Sequence, residues 1–81
     1  MEIFFRTKKL QRICSEKKEM YKHLGIKCGE KLQQRLMELR AADALSDMSH
    51  LPPTRCHELT GNRAGQFSVD LEQPLRLLFI P

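Results

Sequence analysis

The sequence predicts an α+β domain in which a helical hairpin packs on a small, mainly antiparallel sheet, in the order β-α-α-β-β-β. Apolar residues recur every three or four positions over residues 8–42, which is typical of amphipathic helices. After Pro52 and Pro53, strand-favouring segments alternate between polar and apolar residues and are separated by turn residues. A strand at the start of the chain can pair with these later strands, so both helices are expected on one face of the sheet.

A short strand is predicted over residues 2–6, because its Ile and Phe residues favour strands and the segment is too short for a helix. The first helix follows over residues 8–24, with Thr7 as its cap and Gly25 as its end. Its apolar face contains Leu10, Ile13, Cys14, Met20, Tyr21 and Leu24. The second helix is predicted over residues 29–42, and its buried face is lined by Cys28, Leu32, Leu36 and Leu39. Its other faces carry Glu30, Lys31, Gln34, Arg35 and Glu38.

Three strands are predicted after the two prolines, over residues 55–59, 66–71 and 75–80, and one short helical turn before them, over residues 43–48. Because side chains alternate along a strand, Phe67, Val69 and Leu71 are expected to face the core. The last strand is the most apolar and is expected to be buried on most sides. It also ends the sequence, so its edge is predicted to lie open to a partner or to a second copy of the chain.

Length and composition indicate one domain over residues 1–81. Of 81 residues, 41% are hydrophobic and 30% charged, an ordinary balance for a small globular domain that excludes a multidomain enzyme. No apolar run approaches the roughly 20 residues that cross a bilayer, and residues 1–10 lack the pattern of a signal peptide. Cys14, Cys28 and Cys56 form an odd set without CxxC spacing, which favours free thiols in a reducing compartment. The expected location is the cytoplasm, with no membrane partner.

Positive charge is concentrated in the first half of the chain. Residues 1–40 contain eleven Lys and Arg against five Asp and Glu, a formal charge of +6. Residues 41–81 contain no lysine, and only Arg55, Arg63 and Arg76 against five acidic residues. The basic helices therefore predict an anionic partner, and the isolated arginines of the strand region are suited to bidentate pairing with a carboxylate or a phosphate.

The motifs of most familiar enzyme classes are absent from the sequence. It contains no phosphate-binding Walker loop, dinucleotide glycine motif, GxSxG elbow, HExxH pair or calcium loop. Cys14, Cys28, Cys56 and His57 do not have the spacing of a zinc site, and Cys14 and Cys28 fall on apolar helix faces. We therefore interpret the cysteines as buried thiols and expect no metal.

His57 and the arginines around it are the strongest candidates for chemistry. Arg55 and His57 would share one face of a regular strand, where an imidazole can move protons beside a phosphate that the guanidinium stabilises. The alternative is a surface histidine paired with Glu58 or Asp70. Arg76 interrupts an apolar strand, so it requires an anionic partner, either a structural carboxylate such as Asp70 or a bound phosphate.

The second half of the chain resembles the RelE/ParE superfamily of bacterial toxins. Residues 55–71 read Arg-Cys-His-Glu-Leu-Thr-Gly-Asn-Arg-Ala-Gly-Gln-Phe-Ser-Val-Asp-Leu, and Leu-Arg-Leu-Leu-Phe follows at residues 75–79. Within the superfamily they are similar to the HigB-type plasmid-maintenance killer proteins, whose pattern is Leu-His-x-Leu-x-Gly-x-Arg-x-Gly-x-Trp/Phe-Ser-Ile/Val and then Trp/Tyr-Arg-Leu/Ile-x-Phe. Residues 5–10 and 39–47 also look like that group.

The resemblance implies the RelE-like fold and the toxin of a type II toxin–antitoxin system. Such a toxin is a ribosome-dependent endoribonuclease that cuts messenger RNA without a metal or other cofactor, through attack of the ribose 2′-hydroxyl on the adjacent phosphate. The implied partners are a helix-turn-helix antitoxin, the ribosome with its mRNA, and operator DNA only through the antitoxin.

The resemblance also implies roles for individual residues. His57 and Arg76 match the catalytic positions, His57 as an acid or base and Arg76 at the scissile phosphate. Arg63 matches the family's turn and is expected to contact the RNA backbone, and Gln66 and Ser68 would flank the site as orienting polar groups. Arg55, which shares the strand face of His57, completes the predicted RNA and phosphate contacts. The basic helices would contact ribosomal RNA.

Two departures from the family pattern support an alternative function. HigB-type chains continue to a Glu-Ile-x-Asp-Tyr-His motif that supplies further catalytic residues, and this sequence lacks it. A lysine that many relatives have at the position of Thr60 is also missing. The alternative is a truncated, non-catalytic RelE-like module that binds antitoxin, ribosome or nucleic acid.

Overall fold

Three α-helices pack on a three-stranded antiparallel sheet in the computed structural model, which describes all 81 residues, Met1–Pro81. The predicted α+β class is confirmed. The helices are α1 (Lys8–Ser15), α2 (Lys17–Leu24) and α3 (Ile26–Ala41). The strands are β1 (His57–Glu58), β2 (Phe67–Asp70) and β3 (Arg76–Phe79), in the spatial order β1-β2-β3. Two short 3-10 helices, Leu45–Asp47 and Gly61–Arg63, lie in the connections. None of the helices has the length and apolar character needed to cross a membrane.

The predicted first strand is wrong, because residues 2–6 pair with no strand. The alternation that suggested it is nevertheless present: Ile3 and Phe5 pack against the core, whereas Glu2 and Phe4 are exposed. The segment is held at its start, where the Met1 amino group donates to backbone carbonyl oxygens at the end of α3. Side-chain alternation therefore identified the buried residues, but it could not supply a neighbouring strand.

The predicted first helix is divided into α1 and α2 at Glu16, whose φ of −112° and ψ of 114° are those of extended backbone. The predicted ends are confirmed. The Thr7 hydroxyl accepts a hydrogen bond from the Leu10 N–H at 3.0 Å, and Gly25, with a φ of +82°, joins α2 to α3. A left-handed φ costs glycine little, so the chain can turn sharply here.

Helix α3 begins at Ile26, three residues before the predicted start. Its buried face is the predicted one, with Cys28, Leu32, Leu36 and Leu39 in the core. The prediction for Arg35 is wrong: this residue is only 3% exposed. Its guanidinium is buried because it has partners on both α3 and β2, which no local pattern reveals.

Gly29 allows α2 and α3 to pack closely. A Cβ atom at this position would lie 2.5 Å from Cδ1 and 2.7 Å from Cε1 of the Tyr21 ring. In an open helix, Gly→Ala stabilises by roughly 0.5–1 kcal/mol, but overpacking of this kind typically costs about 1–3 kcal/mol. We therefore expect Gly29→Ala to lower the free energy of unfolding, measured by urea denaturation. Glu30→Ala, on the exposed side of the same turn, is the control and should change it little. A Gly29→Ala variant more stable than the wild type would contradict this packing.

The core consists of two clusters that meet along α3. The first joins the helices to the end of the sheet and contains Cys14, Met20, Cys28, Leu32, Leu36 and Leu71. The second joins α3 to β2 and contains Leu39, Ala42, Met48, Cys56 and Val69. All three cysteines are buried free thiols, as predicted.

Burial raises the pKa of the Cys14 and Cys56 thiols above the ordinary value of 9.0. The folded state therefore holds these protons more tightly than the unfolded chain. The resulting stabilisation is complete at pH values below that ordinary thiol pKa, and it is lost as pH rises through the raised pKa values of the folded state. We expect the urea midpoint to fall in alkaline solution above this range, and to fall less in a Cys14→Ala/Cys56→Ala variant. An unchanged alkaline slope in that variant would contradict the assignment.

One face of the sheet packs against the helices. On the opposite face, side chains of the edge strands β1 and β3 are exposed, whereas Ser68 and Asp70 on the central strand β2 are buried. Phe67, Val69 and Leu71 pack into the core as predicted. The prediction that the last strand is buried on most sides is wrong, since Leu78 is 43% and Ile80 73% exposed. Strand β3 lies at the sheet edge with only β2 beside it, so alternate side chains along it point away from the core.

Candidate functional site

The candidate site lies on the sheet face opposite the helices, which we call the outer face. The register pairs His57 with Ser68 and Asp70 with Arg76. Because Ser68 and Asp70 alternate with the core residues of β2, both point to the outer face. Antiparallel pairing therefore places three predicted site residues, His57, Ser68 and Arg76, on one face of the sheet, with His57 beside Ser68 and Arg76 beside Asp70.

His57 is held at the exposed end of this face. Its Nε2 lies 3.5 Å from the Ser68 Oγ, and its Nδ1 lies 3.4 Å from the backbone oxygen of Glu58. Both distances are at the long limit of hydrogen bonding, so the ring is oriented only weakly. Ser68 is fully buried, whereas His57 is exposed. The alternative pairing of His57 with the Glu58 or Asp70 carboxylate is not formed.

The Asp70 carboxylate forms ion pairs with both arginines of the outer face, Arg55 and Arg76. Its carboxylate accepts a hydrogen bond from Gln73 Nε2 at 3.0 Å. Arg55 Nε lies 3.5 Å from Oδ2, and Arg76 Nε lies 3.9 Å from Oδ1. The predicted structural partner of Arg76 is therefore present. Two guanidinium groups share one carboxylate, so one positive charge is left in excess at the site.

We call Arg55 and Arg76 the arginine pair. Their side chains are 51% and 45% exposed, whereas the Asp70 side chain is only 7% exposed. Neither guanidinium donates a hydrogen bond to another residue of the chain. Their N–H groups are thus available for an anionic ligand, and the planar fork of a guanidinium matches two oxygens of one phosphate.

Arg55 has a left-handed backbone conformation, with a φ of +48°. Such a φ is unfavourable for any residue with a Cβ atom, by roughly 1–2 kcal/mol, and strain of this kind is concentrated at functional sites. It also explains why strand β1 begins at His57, two residues later than predicted. The strained backbone turns the chain before the strand, and the Arg55 side chain still reaches Asp70.

Because the backbone at Arg55 is strained, we expect glycine to be more stable than alanine at this position, the reverse of the usual order. Both Arg55→Gly and Arg55→Ala remove the guanidinium, but only alanine keeps the strained Cβ atom. We expect Arg55→Gly to be the more stable variant by about 1 kcal/mol in urea denaturation. At Lys31, within α3, the same pair of substitutions should give the ordinary order, with alanine the more stable. An alanine variant at residue 55 that is as stable as the glycine variant would contradict the strain.

A buried polar network fixes Asp70 to the fold. Its backbone N–H donates to the Thr54 carbonyl oxygen at 2.8 Å, and its backbone oxygen accepts from Arg35 Nε at 2.9 Å. Glu38 closes the network, accepting from Arg35 Nη1 at 2.7 Å and from the Thr54 hydroxyl at 2.9 Å. Strand β2 is thus anchored to α3 directly beneath the site.

The sequence did not identify the supporting residues Arg35, Glu38 and Thr54. The Arg35–Glu38 spacing permits an ion pair on one helix, but any exposed helix offers such pairs. The sequence does contain a signal for Asp70. It lies between the core residues Val69 and Leu71 on a predicted strand, and the two adjacent segments carry Arg55 and Arg76, which require an anionic partner. The sequence alone gives Asp70 only the role of a partner for Arg76 or His57.

Arg63 and Gln66 lie in the β1–β2 connection, apart from the arginine pair. Arg63 is exposed in the 3-10 helix Gly61–Arg63. Gln66 precedes β2, where its backbone oxygen accepts from the Leu59 N–H at 2.8 Å. No hydrogen bond or ion pair joins either side chain to His57 or Asp70. Their proposed role in contacting RNA stays a prediction.

The rest of the molecule has no metal site and one basic surface. No group of three or more His, Cys, Asp or Glu side chains is placed to hold a metal ion. Comparisons with protein-family models, with curated proteins and with solved structures find no match to this chain.

A basic surface covers α1 and α2 and consists of the exposed residues Lys8, Lys9, Arg12, Lys17, Lys18 and Lys22. This basic surface and the outer face are the two features of the chain from which a function can be inferred.

Proposed function

We propose that this protein is the toxin of a type II toxin–antitoxin system, an endoribonuclease that cuts mRNA on the ribosome. The observation that carries the proposal is the outer face, where one exposed histidine lies on the same side of the sheet as two arginines with free N–H groups. A histidine that can transfer a proton and arginines that can stabilise a phosphate are among the groups that metal-independent cleavage of RNA uses. The RelE-like order of the sequence motifs supports the same reaction.

In the proposed reaction, the ribose 2′-hydroxyl oxygen attacks the adjacent phosphorus, and the bond from phosphorus to the 5′ oxygen breaks. The products are a 2′,3′-cyclic phosphate and a 5′-hydroxyl end. The 2′-hydroxyl must lose a proton, and the departing 5′ oxygen must gain one. A histidine can perform either transfer near neutral pH. His57 is assigned one of these transfers, with Ser68 orienting its ring.

The arginine pair is assigned to the phosphate. Negative charge increases on the nonbridging oxygens as the 2′ oxygen attacks, and donors already in place stabilise that charge most effectively. Arg76 is assigned to the scissile phosphate and Arg55 to the same or the neighbouring phosphate. Arg63 and Gln66, nearer the loop, are assigned to the RNA on either side.

The basic surface of α1 and α2 is assigned to ribosomal RNA. Its residues are exposed, and their side chains form no hydrogen bond or ion pair within the chain, although Lys17 lies over the Tyr21 ring. Binding of this kind weakens steeply as salt concentration rises, because counterions are released from the RNA. The further proposed partners are a helix-turn-helix antitoxin and, through it, operator DNA. The proposed location is the cytoplasm.

One observation favours a second candidate function, a non-catalytic module that binds antitoxin, ribosome or nucleic acid. The outer face has a single histidine, held only at 3.5 Å by Ser68, whereas the reaction requires two proton transfers. The arginine pair and the basic surface would still bind RNA without that chemistry.

Induced expression in a bacterial culture distinguishes the two functions. The nuclease predicts growth arrest by the wild-type chain and normal growth with a His57→Ala/Arg76→Ala variant at equal soluble levels. The binding module predicts equal growth of both cultures. Co-expression of the antitoxin should restore growth in the first case only.

A further inference from the structure

The Asp70 carboxylate is the most firmly held charged group on the outer face. Asp70 is 5% exposed, and its backbone is hydrogen-bonded on both sides, to Thr54 and to Arg35. Gln73 Nε2 donates to Oδ2 at 3.0 Å. A buried carboxylate with fixed backbone and a direct hydrogen bond has little freedom to move, so groups paired with it take their positions from it.

Each arginine of the pair faces a different oxygen of this carboxylate. Arg55 approaches Oδ2 and Arg76 approaches Oδ1, in both cases through Nε. The two side chains come from separate parts of the chain, one from the strained residue before β1 and the other from the edge strand β3. Asp70 is the one residue that contacts both.

We propose that Asp70 is a positioning residue that holds Arg55 and Arg76 as a two-armed clamp for a single phosphate group. In each half-exposed side chain Nε is the atom paired with Asp70, at 3.5 Å for Arg55 and 3.9 Å for Arg76, so the other N–H groups of each guanidinium are left to bind the ligand. The identification of that ligand as an RNA phosphate rests on the proposed function. The clamp itself would bind inorganic phosphate as well.

A carboxylate beside a phosphate site has two opposite effects, and the sign of a substitution separates them. If Asp70 acts only through its charge, it repels the phosphate, and Asp70→Asn should tighten phosphate binding. If Asp70 positions the arginine pair, the same change should weaken binding, because the two guanidinium groups lose their common partner. The positioning role therefore predicts a result contrary to the simple electrostatic expectation.

Glu72→Gln is the matched control for the change in charge. Glu72 contacts Lys31 Nζ at 2.8 Å on the surface, and the hydrogen bond from Lys31 holds the pKa of this carboxyl below its usual range. It is therefore ionised at neutral pH, and its substitution also removes one negative charge two residues from Asp70. Glu72→Gln should leave phosphate affinity equal or slightly higher.

The experiment is a titration of the isotope-labelled full chain with inorganic phosphate, followed through the arginine Nε–H signals in NMR spectra. In the wild type, the Arg55 and Arg76 signals should be resolved and should shift together with one binding constant. In Asp70→Asn, both signals should move toward the position of free arginine, and phosphate affinity should fall by at least about tenfold, the equivalent of 1.4 kcal/mol. Asp70→Glu, which keeps the charge but displaces it, should give an intermediate loss and replaces Asp70→Asn if that variant does not fold.

Two results would overturn the clamp: wild-type arginine signals that do not respond to phosphate, or a folded Asp70→Asn variant that binds phosphate as tightly as Glu72→Gln. Failure of the proposed function gives a different result. If the chain binds phosphate through both arginines but does not cut mRNA, the clamp is supported and the proposed nuclease function is contradicted.

Discussion

A His57→Ala/Arg76→Ala variant is expected to cut translated mRNA at least about a thousand-fold more slowly than the wild type. Loss of a general acid or base typically costs about 10²–10⁴-fold, and loss of one donor to the developing oxyanion costs about 10²–10³-fold. Both groups act in one transition state, so the combined loss is less than the product of the two. The measurement is the rate at which new 5′ ends form on an mRNA in a reconstituted translation reaction.

The matched control is His50→Ala/Arg6→Ala, which removes the same residue types from exposed positions outside the outer face. It should cut mRNA at close to the wild-type rate. Equal activity of the His57→Ala/Arg76→Ala variant and this control would place the chemistry elsewhere on the chain.

Arg35→Ala is expected to give the largest loss of stability. The Arg35 guanidinium donates to the Asp70 backbone oxygen and to Glu38 in a buried setting. Its removal leaves the Asp70 carbonyl without this hydrogen bond and leaves Glu38 with only its Gln34 and Thr54 donors. Breaking a buried pair costs about 3–5 kcal/mol, and because the Glu38 side chain is 26% exposed we expect a value near the lower end. A domain of this size has a total stability of roughly 4–12 kcal/mol. We therefore expect a large fall in the urea midpoint, with part of the chain unfolded before denaturant is added.

Lys31→Ala is the control for Arg35→Ala, because Lys31 lies on the same helix and also forms an ion pair, with Glu72. That pair is largely solvent-exposed, and such pairs contribute about 0–1 kcal/mol. The two substitutions should therefore differ by several-fold in their effect. If Arg35→Ala costs no more than Lys31→Ala, the buried network does not hold β2 to α3.

Local patterns predicted the parts of the fold that depend on a single repeat. The alternation of Phe67, Val69 and Leu71 identified the core face of β2, and the helical spacing of Leu32, Leu36 and Leu39 identified the buried face of α3. These predictions are reliable because burial of one face requires a fixed period of apolar residues.

The errors concern features that depend on distant partners. Alternation over residues 2–6 indicates extended backbone, but a strand also requires an adjacent strand with matching hydrogen bonds. The apolar period runs through Glu16, so it does not reveal that the helix breaks there. Arg35 is buried because Glu38 and the Asp70 carbonyl oxygen accept hydrogen bonds from its guanidinium. Asp70 lies 35 residues away in sequence.

The sequence predicted only those parts of the candidate site that depend on local patterns. His57, Ser68 and Arg76 lie on one face of the sheet because of antiparallel pairing between neighbouring segments, which sequence spacing can anticipate. Arg55 reaches the face through a left-handed backbone, although the regular strand that predicted its orientation is absent there. The central position of Asp70 between two arginines depends on the register of β3 against β2, which the sequence alone does not fix.

The most direct test of the proposed function is to map the ends of an mRNA after the purified chain is added to translating ribosomes. A nuclease of this kind predicts 2′,3′-cyclic phosphate and 5′-hydroxyl ends on translated mRNA, and intact mRNA when translation is blocked. Intact mRNA in the presence of folded chain bound to ribosomes would contradict the nuclease and support the non-catalytic binding module.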